Sequence, residues 1–446
     1  MKRALALVTS AAIGLTLAAA QGTGPDASVE RWTTRGYGYL LEREGDELRV
    51  FTHCALGDLP VGTARAEAPD SGSFFDPELG GVELRASATD GAVVVDWDLT
   101  SHPVALDPAA SPPRLPTDSQ RADALFNFDW FCALFSEHYA FFELRGVDWP
   151  QATARAREAL GSAPDAATVF RSMGELIELL DDGHCSIEAP EDLWVSGRPD
   201  PDPDAEDRPS KFRRLVDRRY LKGEYVRACR GRLTAGWVED EIGYLRLDGM
   251  WGGRRKLQRG LDRAFDELAG ARALIVDVRF NGGGDDRYGF KLSRRLIEER
   301  VLAVTKAVRS DPRDPAQCVA AGEFHLAPSD RPGFRGPVAL LVSRYTLSAA
   351  EVFGMSLLER KGGLTVIGEP SGGALSDVLE TELPNGWLVG LSNEVYRTAD
   401  GRCFEHIGLP VDVPCETVRT AHLEERVDPA LEAAVGRFRR DEEGDR

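Results

Sequence analysis

Residues 31–100 place apolar residues in short runs that alternate with polar ones. Tyr37-Gly38-Tyr39-Leu40-Leu41, Glu47-Leu48-Arg49-Val50-Phe51 and Ala92-Val93-Val94-Val95-Asp96-Trp97 are three of them, with Gly, Asp and Pro between. A period of two with turn residues at the breaks predicts a small antiparallel sheet or barrel over 31–102. The Pro-rich stretch from His102 to Pro116 reads as a linker.

The period then changes. Thr117-Asp118-Ser119 offers a helix cap before the aromatic run from Leu125 to Phe131, and Phe170, Met173, Ile177 and Leu180 recur at helical spacing. A helical subdomain over 117–194 follows, with its aromatics in the core. The run VSGRPDPDPDAEDRPS at 195–210 carries too few apolar residues for a core, so 195–235 reads as a loop and connector.

From Gly236 to about residue 436 strands and helices alternate. Ile242 to Leu247 predicts a strand, and Leu257, Leu261, Phe265 and Leu268 mark one face of a helix. Ala273 to Val278 and Val338 to Val342 are nearly continuous apolar runs, as expected of strands buried on both faces. A helix is expected from Ala349 to Lys361, and a hairpin at Leu383-Pro384-Asn385-Gly386-Trp387. The fold class is therefore α/β, preceded by a helical subdomain and a small N-terminal β domain.

Composition narrows the function classes. With 54 basic and 73 acidic residues the net charge is −19, and no basic stripe is visible, which argues against nucleic acid as partner. The acidity points instead to basic peptides as ligands. Lys2 and Arg3, the apolar stretch 4–17 and Ala18-Ala19-Ala20 have the layout of a secretory signal over 1–20. An exported chain, periplasmic or extracellular, with no membrane span after cleavage is the expectation. Seven cysteines are an odd number, so any disulfides formed in that compartment leave at least one cysteine over. No metal-ligand spacing and no phosphate-binding loop is present, so neither metal nor organic cofactor is expected.

Three places combine special residues with the end of an element. Ser348 follows an apolar strand and opens a helix, where its hydroxyl serves either as a nucleophile or as an N-cap. Gly282-Gly283-Gly284 follows the other buried strand and offers either backbone N–H groups to a developing oxyanion or a plain turn. His184, in Asp182-Gly183-His184-Cys185, is either a general base or a structural histidine.

Taken in order, Asp277-Val278-Arg279-Phe280-Asn281-Gly282-Gly283-Gly284, Thr346-Leu347-Ser348-Ala349-Ala350-Glu351, Gly368-Glu369-Pro370-Ser371-Gly372-Gly373 and Phe404-Glu405-His406-Ile407-Gly408-Leu409-Pro410-Val411-Asp412 resemble the S41 peptidases. The resemblance implies a ClpP/crotonase-like spiral of ββα units for the catalytic core and serine-type hydrolysis of peptide or protein substrates. It implies Ser348 as nucleophile, with the N–H groups of Gly283 or Gly282 and of Ala349 as the oxyanion hole. The C-terminal processing branch of the family pairs its serine with a lysine, but Ala374 stands at the matching position and no lysine follows Lys361. The tricorn-like branch uses a histidine, which His184 matches. Glu405 is the carry-over for that branch's supporting acid. The serine that would link it to the imidazole is replaced by Gly183, so Asp182 and Ser186 are alternatives. The retinoid-binding relatives make a non-catalytic binder of apolar ligands or peptides the alternative function, and a crotonase-like acyl enzyme a further one. Oligomeric state is left open.

Overall fold

The computed structural model describes residues 29–444 apart from 69–70, 78, 88–91, 98–99, 101, 199–206, 310–312 and 315–316. The leader read at 1–20 lies outside the described residues, as does half of the Pro/Asp-rich run. The chain forms two compact units. The first comprises Met1–Arg198, Ala307–Gly322 and Val378–Glu394, and the second Pro199–Lys306, Glu323–Asp377 and Val395–Arg446.

In the first unit, eight antiparallel strands from Val29–Thr34 to Val104–Pro108 close into a barrel. Alternation is seen at Leu48 and Ala64, each fully buried between residues that are not, and pairing the last strand with the first removes both open edges. That last strand lies in the stretch read as a linker. Val104 and Leu106 alternate inward, and Trp32 pairs with Pro108. The proline content masked a period-two signal only five residues long.

Helices follow, as the spacing predicts. Thr117 caps Asp118–Ala122 with a reciprocal bond from Gln120, and Asp165 caps Ala166–Leu179. Phe128, Phe131, Phe135, Tyr139 and Trp149 are buried, and Phe135 stacks on Trp149 at 5.3 Å, so the aromatic run is core. The short strands Ser186–Ala189 and Leu193–Ser196 then join Leu388–Ser392 and Val378–Glu382 in a four-stranded sheet. The predicted hairpin is the turn between the last two, with Gly386 at φ 85°.

The second unit is built on a seven-stranded sheet that runs from Lys222–Ala228 through Leu233–Glu239, Ile242–Leu247, Ala273–Asp277, Val338–Val342 and Leu364–Gly368 to Val413–Pro414. The strands from Ile242 onward are parallel. Leu274, Val276, Leu340 and Val342 face one core with the helices Arg254–Glu267, Asp286–Leu296 and Ala349–Met355. Ile275, Ala339 and Leu341 face another with Arg208–Arg219 and Pro429–Gly444. Helices on both faces explain the unbroken apolar runs.

Two expectations change here. The sheet begins at Lys222, and a helix at Arg208–Arg219 precedes it, inside the segment read as connector. That helix buries only Arg208, Phe212 and Val216, too few apolar anchors to stand out among its arginines. The helix after Ser348 ends at Met355, so Lys361 lies beyond it, exposed and bonded to Glu299.

Candidate active site

Ser348 is reached by a sharp turn out of the strand Val338–Val342, and that turn is stitched to the neighbouring strand's exit. Ser343 Oγ donates to the Arg279 carbonyl at 2.6 Å, Thr346 Oγ1 to that of Val278 at 2.9 Å, and Leu347 N–H to that of Asn281 at 3.0 Å. Ser348 itself has φ 55° and ψ −128°. A side chain in that region costs about 1–3 kcal/mol and persists only where its surroundings fix it. They do: its N–H is shared between the Ala374 carbonyl at 2.9 Å and Glu351 Oε2 at 3.0 Å. Strand, strained serine and helix in succession is the arrangement that lifts a nucleophile clear of a sheet.

The glycine turn lies directly against it. A Cβ on Gly283 would sit 2.6 Å from Ser348 Cβ and 2.8 Å from the Leu347 carbonyl, and φ there is +96°. Asn281, fully buried, donates to the Leu247 carbonyl and accepts the Gly283 N–H, both at 2.9 Å. Of the three donors expected at the oxyanion, Gly283 is therefore taken up by Asn281. The N–H groups of Gly282 and Ala349 have no acceptor among the described residues. Gly283→Ala is expected to slow acylation of Ser348 about tenfold or more, because a 1 Å displacement at a reacting atom has that order of effect; the labelling rate with a fluorophosphonate measures it.

One residue of this unit was not singled out from the sequence. Glu351 is fully buried and accepts four hydrogen bonds: from Ser348 N–H at 3.0 Å, Ser371 Oγ at 2.5 Å, Gly373 N–H at 2.8 Å and Ala374 N–H at 3.0 Å. Burial pushes its carboxyl up to about 7, against the pull of those four donors. The pattern Ser-x-x-Glu at 348–351 is the signature of a helix capping box and was the available signal. Ala374, at the position a dyad lysine would take, touches Ser348 through its backbone and offers only a methyl group. Glu405 lies in the same unit, buried, and accepts the Leu375 N–H at 2.7 Å, so there it braces the segment that contacts Ser348.

His184 belongs to the first unit, just before the strand Ser186–Ala189. Its ring Nδ1 is shielded from solvent and has no hydrogen-bond partner among the described residues. Burial lowers the imidazole pKa from 6.5; Asp182 opposes this and Arg145 adds to it. The ring is thus a neutral base at neutral pH. Asp182 does not hold the ring. One oxygen accepts the main-chain N–H of His184 at 2.9 Å, and the other takes the Tyr139 hydroxyl at 3.0 Å beside Arg145. Ser186 Oγ lies against Gly390. No disulfide joins the seven cysteines.

Residues 241–415 match peptidase family S41. A curated relative, the chloroplastic C-terminal processing peptidase of Tetradesmus obliquus, is 27% identical over 183 residues, which are 41% of this chain and 36% of that protein. The chain thus spans about a third of that relative's length. Among solved structures, a putative peptidase from Parabacteroides merdae is similar at a TM-score of 0.61 and 25% identity, over 70% of this chain and 96% of the other. Mature CPAF complexed with lactacystin shares the fold at a TM-score of 0.52 and 11% identity, over 69% and 96%. The matched segment contains the Asp277–Gly284 turn, the strained Ser348 and Glu405, so residues 241–415 form a segment of the peptidase family S41 type.

Proposed function

We propose that this chain is an exported serine peptidase in which Ser348 is the nucleophile and His184 the base. The observation that carries the reading is the strained Ser348, with φ 55°, flanked by the unengaged N–H groups of Gly282 and Ala349. A carrier on the same scaffold has no use for a serine held at that energetic cost.

Ser348 Oγ attacks the peptide carbonyl carbon, and its proton passes to the neutral imidazole of His184. The carbonyl oxygen becomes an oxyanion and accepts from Gly282 and Ala349 N–H. Collapse breaks the C–N bond, and the amine leaves with the proton from His184. Water then hydrolyses the acyl-serine ester by the same transfer in reverse order. Asp182 positions His184 through its main chain, and Glu351 and Glu405 hold the loop behind Ser348.

Labelling by a fluorophosphonate probe tests the assignment. Wild type is expected to label, and Ser348→Ala and His184→Ala to lose the label while keeping their melting temperature. Labelling that survives in Ser348→Ala removes this serine from the mechanism. Export is checked by N-terminal sequencing of the mature chain, expected to start near Gln21.

A further inference from the structure

The second unit exposes two large apolar side chains among the described residues, Trp251 at 48% and Ile407 at 62%. Both lie on loops that touch the segments flanking Ser348. Met250 N–H donates to the Gly283 carbonyl at 2.9 Å and Asp285 N–H to that of Met250 at 2.8 Å, so the Trp251 loop runs beside the glycine turn that abuts Ser348. On the other flank, His406 N–H donates to the Gly373 carbonyl at 2.8 Å. Gly373 and Ala374 are in turn held by Glu351, and Ala374 accepts the Ser348 N–H.

The Trp251 side chain and the Ile407 main chain are held in place. The Arg232 guanidinium covers the Trp251 ring at 5.3 Å and donates to the Trp251 carbonyl at 3.2 Å. The indole also lies back on Gly249, where a Cβ would stand 2.2 Å from its ring. Ile407 sits in a tight turn closed by Gly408 N–H to the Phe404 carbonyl at 2.9 Å, with His406 at φ 71°. Exposed apolar surface costs free energy in water, and holding it rigid lowers the entropy lost when a ligand covers it.

We propose that Trp251 and Ile407 are specificity-determining contacts that receive large apolar side chains of an extended peptide, one on each flank of the bond cleaved at Ser348. This rests on the peptidase reading and names its substrate class: peptides apolar around the scissile bond, in place of the basic peptides suggested by net charge. Net charge is a sum over the whole chain, whereas these two uncharged side chains are carried by the loops bonded to the segments flanking Ser348.

The test measures kcat/KM for two matched peptide sets, one with Leu and Phe around a common scissile bond and one with Ser and Lys there. The full-length chain, Trp251→Ala, Trp251→Phe and Ile407→Ala are compared. Wild type is expected to favour the apolar set by about 30-fold, within the range an apolar pocket provides. Trp251→Ala and Ile407→Ala are each expected to reduce that ratio about tenfold, and Trp251→Phe to keep most of it. The ratio is internal to each variant, so a general loss of activity does not imitate it. Equal cleavage of both sets by wild type, or a ratio unmoved in both alanine variants, overturns the inference. So does a wild type that labels with fluorophosphonate yet cleaves neither set, and there the activated serine stands. A wild type that neither labels nor cleaves overturns the peptidase reading and this inference with it.

Discussion

Glu351→Ala is expected to lower stability by about 4 kcal/mol or more and to slow labelling of Ser348 at least 100-fold. The substitution strands three donors, the Gly373 and Ala374 N–H groups and the Ser371 hydroxyl, around a carboxyl site with no exposure. Each unsatisfied buried donor costs about 1–3 kcal/mol, and water entering the cavity recovers part of it. Ser348 also loses one of the two acceptors that hold its N–H in a strained conformation, so the nucleophile loses position along with the fold. Thermal unfolding and the labelling rate read the two effects separately.

The same carboxyl governs the pH dependence. Burial pushes Glu351 up to about 7 from an ordinary 4.5, while burial lowers His184 below 6.5. Four donors and no acceptor require the ionised form, so labelling is expected to fall as pH drops through about 7, before His184 protonates. Glu351→Gln removes that step and leaves only the lower one. The sign for stability is the opposite. A carboxyl with a raised folded pKa binds its proton more tightly in the folded chain, so its contribution is present below about 4.5 and lost as pH rises to about 7. Relative to Glu351→Gln, wild type is expected to lose about 3 kcal/mol across that window. Denaturant titrations at pH 5 and pH 8 check it, and equal differences at the two values would discard the assignment.

How much of this was legible depends on how local each signal is. The strands Ala273–Asp277 and Val338–Val342 were readable because burial on both faces writes an unbroken apolar run. Ser348 and the glycine turn were readable because they stand at the ends of those runs. The strand Val104–Pro108 and the helix Arg208–Arg219 were hidden, since prolines and arginines outnumber the few residues each buries. Asp182 was seen as an acid beside a histidine, but sequence adjacency could not separate a bond to the ring from one to the main chain. The burial of Glu351 depends on residues 371–374, twenty positions away, and a capping pattern gives no hint of a second set of partners. Asn281 likewise removes Gly283 from the oxyanion donors through a side chain that the glycine pattern does not weigh.

Arg279→Ala is the other substitution expected to have a large effect. Its guanidinium is fully buried and reaches Asp277 at 2.7 Å and 3.0 Å and Asp428 at 2.6 Å and 2.8 Å, with the ring of Phe280 beneath it at 5.2 Å. Tyr244 and the Arg279 N–H satisfy the rest of Asp277. The network ties the exit of the strand Ala273–Asp277 to the start of the helix Pro429–Gly444. Removing the cation leaves two fully buried carboxylates uncompensated, at a cost of about 3–5 kcal/mol. Burial opposes ionisation of Asp277, and the Arg279 charge together with the bonds from Arg279 and Tyr244 outweighs it, holding the carboxyl below its ordinary range. Without the guanidinium, burial outweighs the two bonds that remain, from Tyr244 and the residue-279 N–H, and raises it. The variant is therefore expected to gain stability relative to wild type as pH falls from 7 to 5, a window in which a lost ion pair at the surface would leave the difference unchanged. Arg279→Ala/Asp428→Ala is expected to recover about 1–3 kcal/mol, because one of the two uncompensated charges is gone. The Arg279 carbonyl also accepts from Ser343 Oγ in the turn before Ser348, so labelling of the single variant is expected to slow even where it remains folded. Denaturant midpoints for the four members of the cycle at both pH values measure the coupling. A single variant as stable as wild type would mean that the two aspartates find other partners, and that the segment from Asp277 to Ser348 is held by its remaining hydrogen bonds.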